Sequence, residues 1–241
     1  MKINANFRLF AATNFDATKY IASPAYGVNR FMLDRVGEEK ARATTIVEYS
    51  PNSKFPKHTH IGGEEFLVLK GTFKDQHGSF PAGTYVRNPI GSEHAPWVDG
   101  DGCTIMVKLL QMSDEDHLKQ PLYIDLEKQR TASGKPVDYG TVLDLYDNTS
   151  TGEHVEMCWV SAGKTLPPPS TTGGEELFIM EGSLHCKDEE YVQWGWLRFP
   201  PNDSSQRHEV KAGPSGAQVY RKCGHLTEDA LKKEKIQIKE E

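Results

Sequence analysis

Hydrophobic and polar positions alternate along this chain in short runs, and no sustained helical period develops. Thr45-Ile46-Val47-Glu48-Tyr49 is β-branched and aromatic and ends at Pro51-Asn52, which predicts a strand closed by a turn. Phe66-Leu67-Val68-Leu69 is a continuous apolar run of the length of a buried strand. Phe80 to Gly83 reads as a turn, Tyr85-Val86 as another strand and Thr104 to Leu110 as a long one. Many short strands separated by glycine and proline predict an all-β chain built as a sandwich or barrel. Residues 1–40, punctuated by Pro24, Gly27 and Gly37, are expected to form leading strands and loops. The pattern changes over residues 111–140. Ser113-Asp114-Glu115-Asp116 suits the cap of one short helix limited by Pro121, and Thr131-Ala132-Ser133-Gly134-Lys135-Pro136 is loop chemistry. The inter-domain connection is placed here, dividing the chain into 1–125 and 126–241. From Thr227 to Glu241 the tail is charged, with Glu228 and Asp229 placed for a helix N-terminus and lysines after them, so a short solvated C-terminal helix is expected.

An internal repeat supports two units. A shift of 111 lays Gly62-Gly63-Glu64-Glu65-Phe66-Leu67-Val68-Leu69-Lys70-Gly71 on Gly173-Gly174-Glu175-Glu176-Leu177-Phe178-Ile179-Met180-Glu181-Gly182. It also sets Asn52 on Gly163, two residues that tolerate positive φ, and His58 on Pro169. Further on, a shift of 114 sets His94 on His208, Gly102 on Gly216 and Lys108 on Lys222. Two copies of one unit explain the chain better than two unrelated domains. At 241 residues each copy is long enough to bury a core.

Composition narrows the function classes. With 28 Lys+Arg against 34 Asp+Glu, and no basic cluster, a nucleic-acid partner is not expected. Cys103, Cys158, Cys186 and Cys223 lie far apart without a C-x-x-C spacing and read as small buried residues of a cytoplasmic protein. No apolar run approaches the length of a membrane span, and Met1 to Phe7 lacks the apolar core of a signal peptide, so neither a membrane nor export is expected.

The candidate chemistry lies between His58 and His94. In a strand, positions i and i+2 face the same way, so His58 and His60 can present two imidazoles to one point. Gly62-Gly63 allows a sharp bend that returns Glu64 beside them, and His94 follows a second turn signal, Pro89-Ile90-Gly91. Three imidazoles and a carboxylate suit Zn, Fe, Mn, Ni or Cu. Glu65 and Glu93 are read as solvent-facing or as partners of a ligand histidine, and Arg87 as a surface residue or an inward contact for an anion. Tyr85, Trp97, Trp194 and Trp196 are read as packing bulk, and His77, His117, His154, His185 and His225 as exposed residues.

This stretch resembles the cupin superfamily. Its first motif, G-x5-H-x-H-x3,4-E-x6-G, is matched by His58, His60, Glu64 and Gly71, with Asn52 for the leading glycine. Its second, G-x5-P-x-G-x2-H-x3-N, is matched by Gly83, Pro89, Gly91 and His94, with Val98 for the asparagine. The wording around both motifs looks like the ChrR-type branch. The resemblance implies two tandem double-stranded β-helix (jelly-roll) barrels, a bicupin, with His58, His60, Glu64 and His94 holding one divalent metal, Zn or Fe(II) first, in the N-terminal barrel. In the second copy Pro169 and Thr171 replace the two histidines, leaving Glu175 and His208, so that barrel is expected to hold no metal at the family position.

Three functions follow from the resemblance and the site. One is a metal-dependent dioxygenase acting on a small carbonyl or phenolic compound, with no catalytic acid or base assignable from sequence. A second is a sensing or regulatory module, since ChrR-type cupins form the C-terminal part of zinc-binding anti-sigma factors. This sequence has no His-x3-Cys-x2-Cys motif, so a sigma-factor partner is not carried over. The third is a binding protein in which metal fixes the barrel and a small ligand without turnover. Cupin barrels often pair, so a homodimer is an expectation too, although a bicupin can satisfy that pairing within one chain.

Overall fold

The computed structural model describes residues 1–170, 172–201, 208–228 and 231. Strands follow one another as β1 (Lys2–Ile3), β2 (Ala11–Thr13), β3 (Ile21–Ala22), β4 (Val28–Gly37), β5 (Ala41–Tyr49), β6 (His58–Thr59) and β7 (Glu64–Asp75). They continue as β8 (Gly78–Pro81), β9 (Thr84–Asn88), β10 (Glu93–His94), β11 (Trp97–Leu109) and β12 (Leu122–Asp125), up to helix α1 (Leu126–Ser133). Beyond it come β13 (Lys135–Val137), β14 (Gly140–Asn148), β15 (Glu153–Val160), β16 (Thr165–Leu166) and β17 (Glu175–Cys186). The last are β18 (Glu189–Val192), β19 (Trp196–Phe199) and β20 (Val210–Cys223). Among the described residues no helix is long and apolar enough to cross a membrane.

Two compact units result, one from Met1–Ala5 and Asp16–Leu126, the other from Asn6–Phe15 and Glu127–Leu231. The first is an antiparallel sheet in the order β1-β4-β5-β11-β7-β9-β12, with a separate β10-β6 ribbon. The second has the order β13-β14-β15-β20-β17-β19-β2, so its last strand comes from the start of the chain. Each unit is a jelly-roll barrel with its own core. Alternate residues of four strands, Val47, Phe66, Val68, Val86, Ile105 and Val107, fill the first, as period-two side chains of a strand allow. Cys158, Leu177, Ile179, Leu197 and Val219 do the same in the second.

The repeat is a repeat of register. Glu64 stands opposite Leu109 and Asn88, and Glu175 opposite Cys223 and Phe199, so both sequence shifts survive in three dimensions. Asn52 and Gly163 both have positive φ, 61° and 67°, at matched turns. At Gly71 (φ 73°) a Cβ would lie 2.2 Å from the Gly102 carbonyl oxygen, and at Gly182 (φ 76°) 2.1 Å from that of Gly216. Matched glycines therefore mark one close backbone crossing, used twice.

The helix differs from expectation. Ser113 to Asp116 makes only a turn, closed by Asp116 N–H donating to Ser113 O at 2.9 Å; the Asp116 carboxylate binds Arg87 through Oδ2 and accepts from Leu118 N–H through Oδ1. The helix forms instead over Leu126–Ser133, where Leu126 is buried and Glu127 sits in the first turn, and it includes residues 131–133 that had read as loop. The helix expected from Thr227 onward lies almost entirely outside the described residues, as does Thr171.

Substitution should separate crowding from torsional strain. Gly71→Ala meets backbone as well as positive φ and should lose more than about 2 kcal/mol in urea unfolding, whereas Gly83→Ala, with open space around its Cβ, should lose about 1 kcal/mol. Equal losses would show that the crossing relaxes freely.

Candidate metal centre

Two short strands and two turns assemble the site. In the β10-β6 ribbon His94 stands directly opposite His58. His60 follows that ribbon and is pinned at its backbone: its N–H donates to Ser92 O and its carbonyl accepts from Gly91 N–H, each at 2.9 Å. Gly63, at φ 73°, then turns the chain into β7; a Cβ there would meet Met112 Sδ at 2.1 Å. Glu64 is the first residue of β7, so the bend returns it to the histidines.

Among the described residues His58, His60 and His94 form a candidate metal-holding group, each offering one ring nitrogen within 4.8 Å of the others. His60 and His94 are buried and His58 is exposed, so the site opens on the His58 side. Glu64 Oε2 lies 3.5 Å from His60 Nε2 and 3.6 Å from His94 Nε2, and accepts from Asn88 Nδ2 at 2.9 Å.

Hydrogen bonds on the far side of two rings decide which nitrogens face inward as acceptors. His58 Nδ1 is 3.0 Å from the Pro56 carbonyl and His94 Nδ1 is 3.2 Å from Asp75 Oδ2. A carbonyl and a carboxylate only accept, so both Nδ1 atoms carry hydrogen, and in the neutral rings both Nε2 atoms present lone pairs. Those two Nε2 atoms are 3.2 Å apart. Nothing neutral is gained by that approach, but it matches the edge of about 3.3 Å between two donors at about 2.0 Å from a tetrahedral ion. The third inward nitrogen, His60 Nε2, is buried without a hydrogen bond. An unsatisfied buried nitrogen is costly unless something binds it, and a cation fits all three observations.

Behind the imidazoles the wall is aromatic. Phe73 lies 5.9 Å from the His94 ring, with Phe66 and Tyr49 at 4.8 and 5.8 Å from Phe73. Burial, with Glu64 nearby, pushes the Tyr49 hydroxyl far above its ordinary pKa, so it stays protonated.

Residues 10–113 match the family profile of the ChrR cupin-like domain. This segment is a ChrR-like cupin. No curated protein matches the sequence. Among solved structures, a candidate dioxygenase from Nostoc punctiforme is similar at 13% identity and TM-score 0.65, over 94% of this chain and 83% of that one. A candidate glyoxylate-induced protein from Pseudomonas aeruginosa is similar at 14% identity and TM-score 0.67, over 90% of each. The pirin YhhW of Escherichia coli, solved with nickel(II), is similar at 10% identity and TM-score 0.61, over 89% and 98%. At such identities the likeness is one of fold, and it extends through both barrels.

The cupin motif carries two glutamates with opposite duties. Glu64 faces the histidines, while Glu65 faces the other side of the sheet, accepting from Tyr85 Oη at 3.1 Å and from Arg87 at 3.0 Å. Arg87 is fully buried and also binds Asp116 at 2.6 Å, so it neither lies on the surface nor points at a ligand. Glu176 repeats this duty, accepting from Trp196 Nε1 at 3.0 Å and pairing with His225 at 2.9 Å. His225 is therefore buried and engaged, not exposed. Glu93 is exposed and meets Lys57 and Thr59. Asp75 and Asn88, which orient His94 and Glu64, were missed from the sequence. Asn88 is legible only once β9 is paired with β7, and Asp75 only once the β7-β8 hairpin is known.

In the second barrel Glu175 lies at the position of Glu64, and a guanidinium meets it: Arg221 Nε is 2.8 Å away. Register sets Arg221 at the place of Val107, so a built-in cation sits beside this carboxylate. His208, half-buried, packs edge-on at 5.7 Å from Phe10.

Burial holds the His60 imidazole below its ordinary pKa; Glu64 opposes the shift, and His94 and His58 add to it. A lowered folded-state pKa means that the unfolded chain binds more protons, so this contribution to stability is full above about pH 6.5 and is lost as pH falls through it. Metal-free His60→Asn should accordingly lose less stability than wild type between about pH 7.5 and 5.5 in urea titrations. Equal slopes would place His60 in water.

Proposed function

We propose that the N-terminal barrel holds a divalent first-row metal through His58, His60, His94 and Glu64, and that the protein is a non-haem dioxygenase of a small carbonyl or phenolic compound. The observation that carries the metal is the pair of Nε2 lone pairs turned toward each other at 3.2 Å. A redox-active ion such as Fe(II) held there would supply activation of dioxygen and of an oxygen-bearing substrate. The chain's own residues do the rest. Asp75 and the Pro56 carbonyl hold the rings in one tautomer, Asn88 fixes Glu64, and Phe66, Phe73 and Tyr49 form an apolar wall that keeps water back. The structural likeness to a candidate dioxygenase and to a nickel-bearing pirin supports the same reading.

A second reading is favoured by Glu64. A carboxylate 3.5 and 3.6 Å from two of the imidazoles would take one more metal position, which suits an ion that fixes a sensing or binding barrel without turnover.

Metal analysis of untagged protein, followed by oxygen uptake after Fe(II) restoration with a panel of small diketones and phenols, separates the readings. The dioxygenase reading expects substrate-dependent uptake that disappears in His60→Ala together with one equivalent of metal. Tightly held zinc with no uptake would favour the sensor, and equal metal content in wild type and His60→Ala would remove the site altogether.

A further inference from the structure

The second barrel carries a donor set unrelated to the cupin motif. Asp144 on β14 and His154 and Glu156 on β15 each offer one atom within 4.8 Å of the others. His154 Nε2 is 3.6 Å from Asp144 Oδ1 and 3.3 Å from Glu156 Oε2. Strand register sets these three at the places of Met32, Ala43 and Thr45 in the first barrel, none of which has a strong metal donor. The set is therefore no remnant of the family site.

Without metal both ring nitrogens of His154 meet carboxylates, Nε2 with Glu156 at 3.3 Å and Nδ1 with Asp147 at 3.2 Å, so a metal would take the place of the Nε2 proton; three features of the cluster suit that exchange. First, each carboxylate divides its oxygens: Asp144 gives Oδ2 to Lys135 and turns Oδ1 to the imidazole, while Glu156 gives Oε1 to Arg221 at 3.1 Å and turns Oε2 to it. Arg221 also binds Glu175, so its single charge is spread over two carboxylates. Second, the far nitrogen of the ring, Nδ1, is held at 3.2 Å by Asp147 Oδ1, the arrangement that Asp75 gives to His94 at 3.2 Å. A carboxylate behind a ligand histidine fixes its tautomer and raises its basicity toward a metal. Third, the separations of 3.3 and 3.6 Å suit donors around one tetrahedral ion with bonds of about 2.0–2.2 Å. Side-chain exposure falls from 41% at Asp144 through 32% at His154 to 11% at Glu156, leaving a solvent-facing side for a water ligand.

We propose that Asp144, His154 and Glu156 form a second divalent-metal site, of the zinc class, with Asp147 as the residue that positions the imidazole. One imidazole and two carboxylates bind zinc, manganese or cobalt, with water completing the shell. The proposal is independent of the site in the first barrel.

Chelator-stripped, untagged full-length protein titrated with Co(II) and Zn(II) provides the test, read by calorimetric stoichiometry and visible absorption. Wild type should bind one equivalent more than either Asp144→Asn or His154→Ala, whether or not His60→Ala is also present. Asp147→Asn should keep that equivalent but weaken it by about 10- to 100-fold. An unchanged thermal unfolding curve for metal-free Asp144→Asn separates a lost donor from a lost fold. Stoichiometry and affinity equal to wild type in Asp144→Asn and His154→Ala would overturn the proposal and leave the cluster as an ion-pair network only.

Discussion

Two imidazoles whose outer nitrogens are spent on oxygen acceptors have nothing left to offer each other but lone pairs, and the first barrel holds such a pair at 3.2 Å. Much of the surrounding structure serves that placement. The β10-β6 ribbon puts His94 opposite His58, the turn at Gly91 and Ser92 pins His60, and the bend at Gly63 brings the only nearby carboxylate named in the motif into the same space. A set of acceptors so arranged is unfavourable when empty and favourable around a cation, so an ion bound there would add its binding free energy to that of the fold.

The second barrel shows another answer to the same problem. It keeps the inward glutamate at Glu175, buried as deeply as a core residue, and supplies Arg221 from a neighbouring strand as its counter-charge. A buried carboxylate needs a partner, and either a metal or a guanidinium can be one. The outward glutamate of each repeat, by contrast, keeps its duty: Glu65 and Glu176 tie a strand to an aromatic donor on the next one. Both glutamates of the doublet thus have a partner in each copy, although Pro169 and Thr171 stand in place of two of the three histidines.

Much of this was legible in the sequence. The His58, His60, Glu64 and His94 pattern and the glycine-marked repeat both follow from spacing, because strand periodicity and positive-φ turns leave local signatures. What escaped was set by tertiary pairing. Arg87 looked free until Glu65 and Asp116 were seen around it, and His225 looked exposed until Glu176 was found beside it. Asp75 is the last residue of β7, beside a hairpin turn, and its local sequence says nothing of the imidazole it supports. The Ser113 to Asp116 stretch has local turn chemistry as well, with Asp116 Oδ1 accepting from Leu118 N–H, but its other oxygen is tied to buried Arg87 and no helix follows.

The strand order has a kinetic side as well. Strand β2, near the start of the chain, hydrogen-bonds to β19 and completes the sheet of the second unit, while residues just before and after it belong to the first. During synthesis that strand leaves the ribosome early and its partner late, an interval of roughly ten to forty seconds at about 5–20 residues per second. The first barrel can close in that time, yet the second has its edge in hand from the outset and nothing to attach it to. The seam between β2 and β19 is therefore a long-range one: a strand made among the first must wait for a partner made about 180 residues later, in the same barrel whose central strand, β20, is made later still.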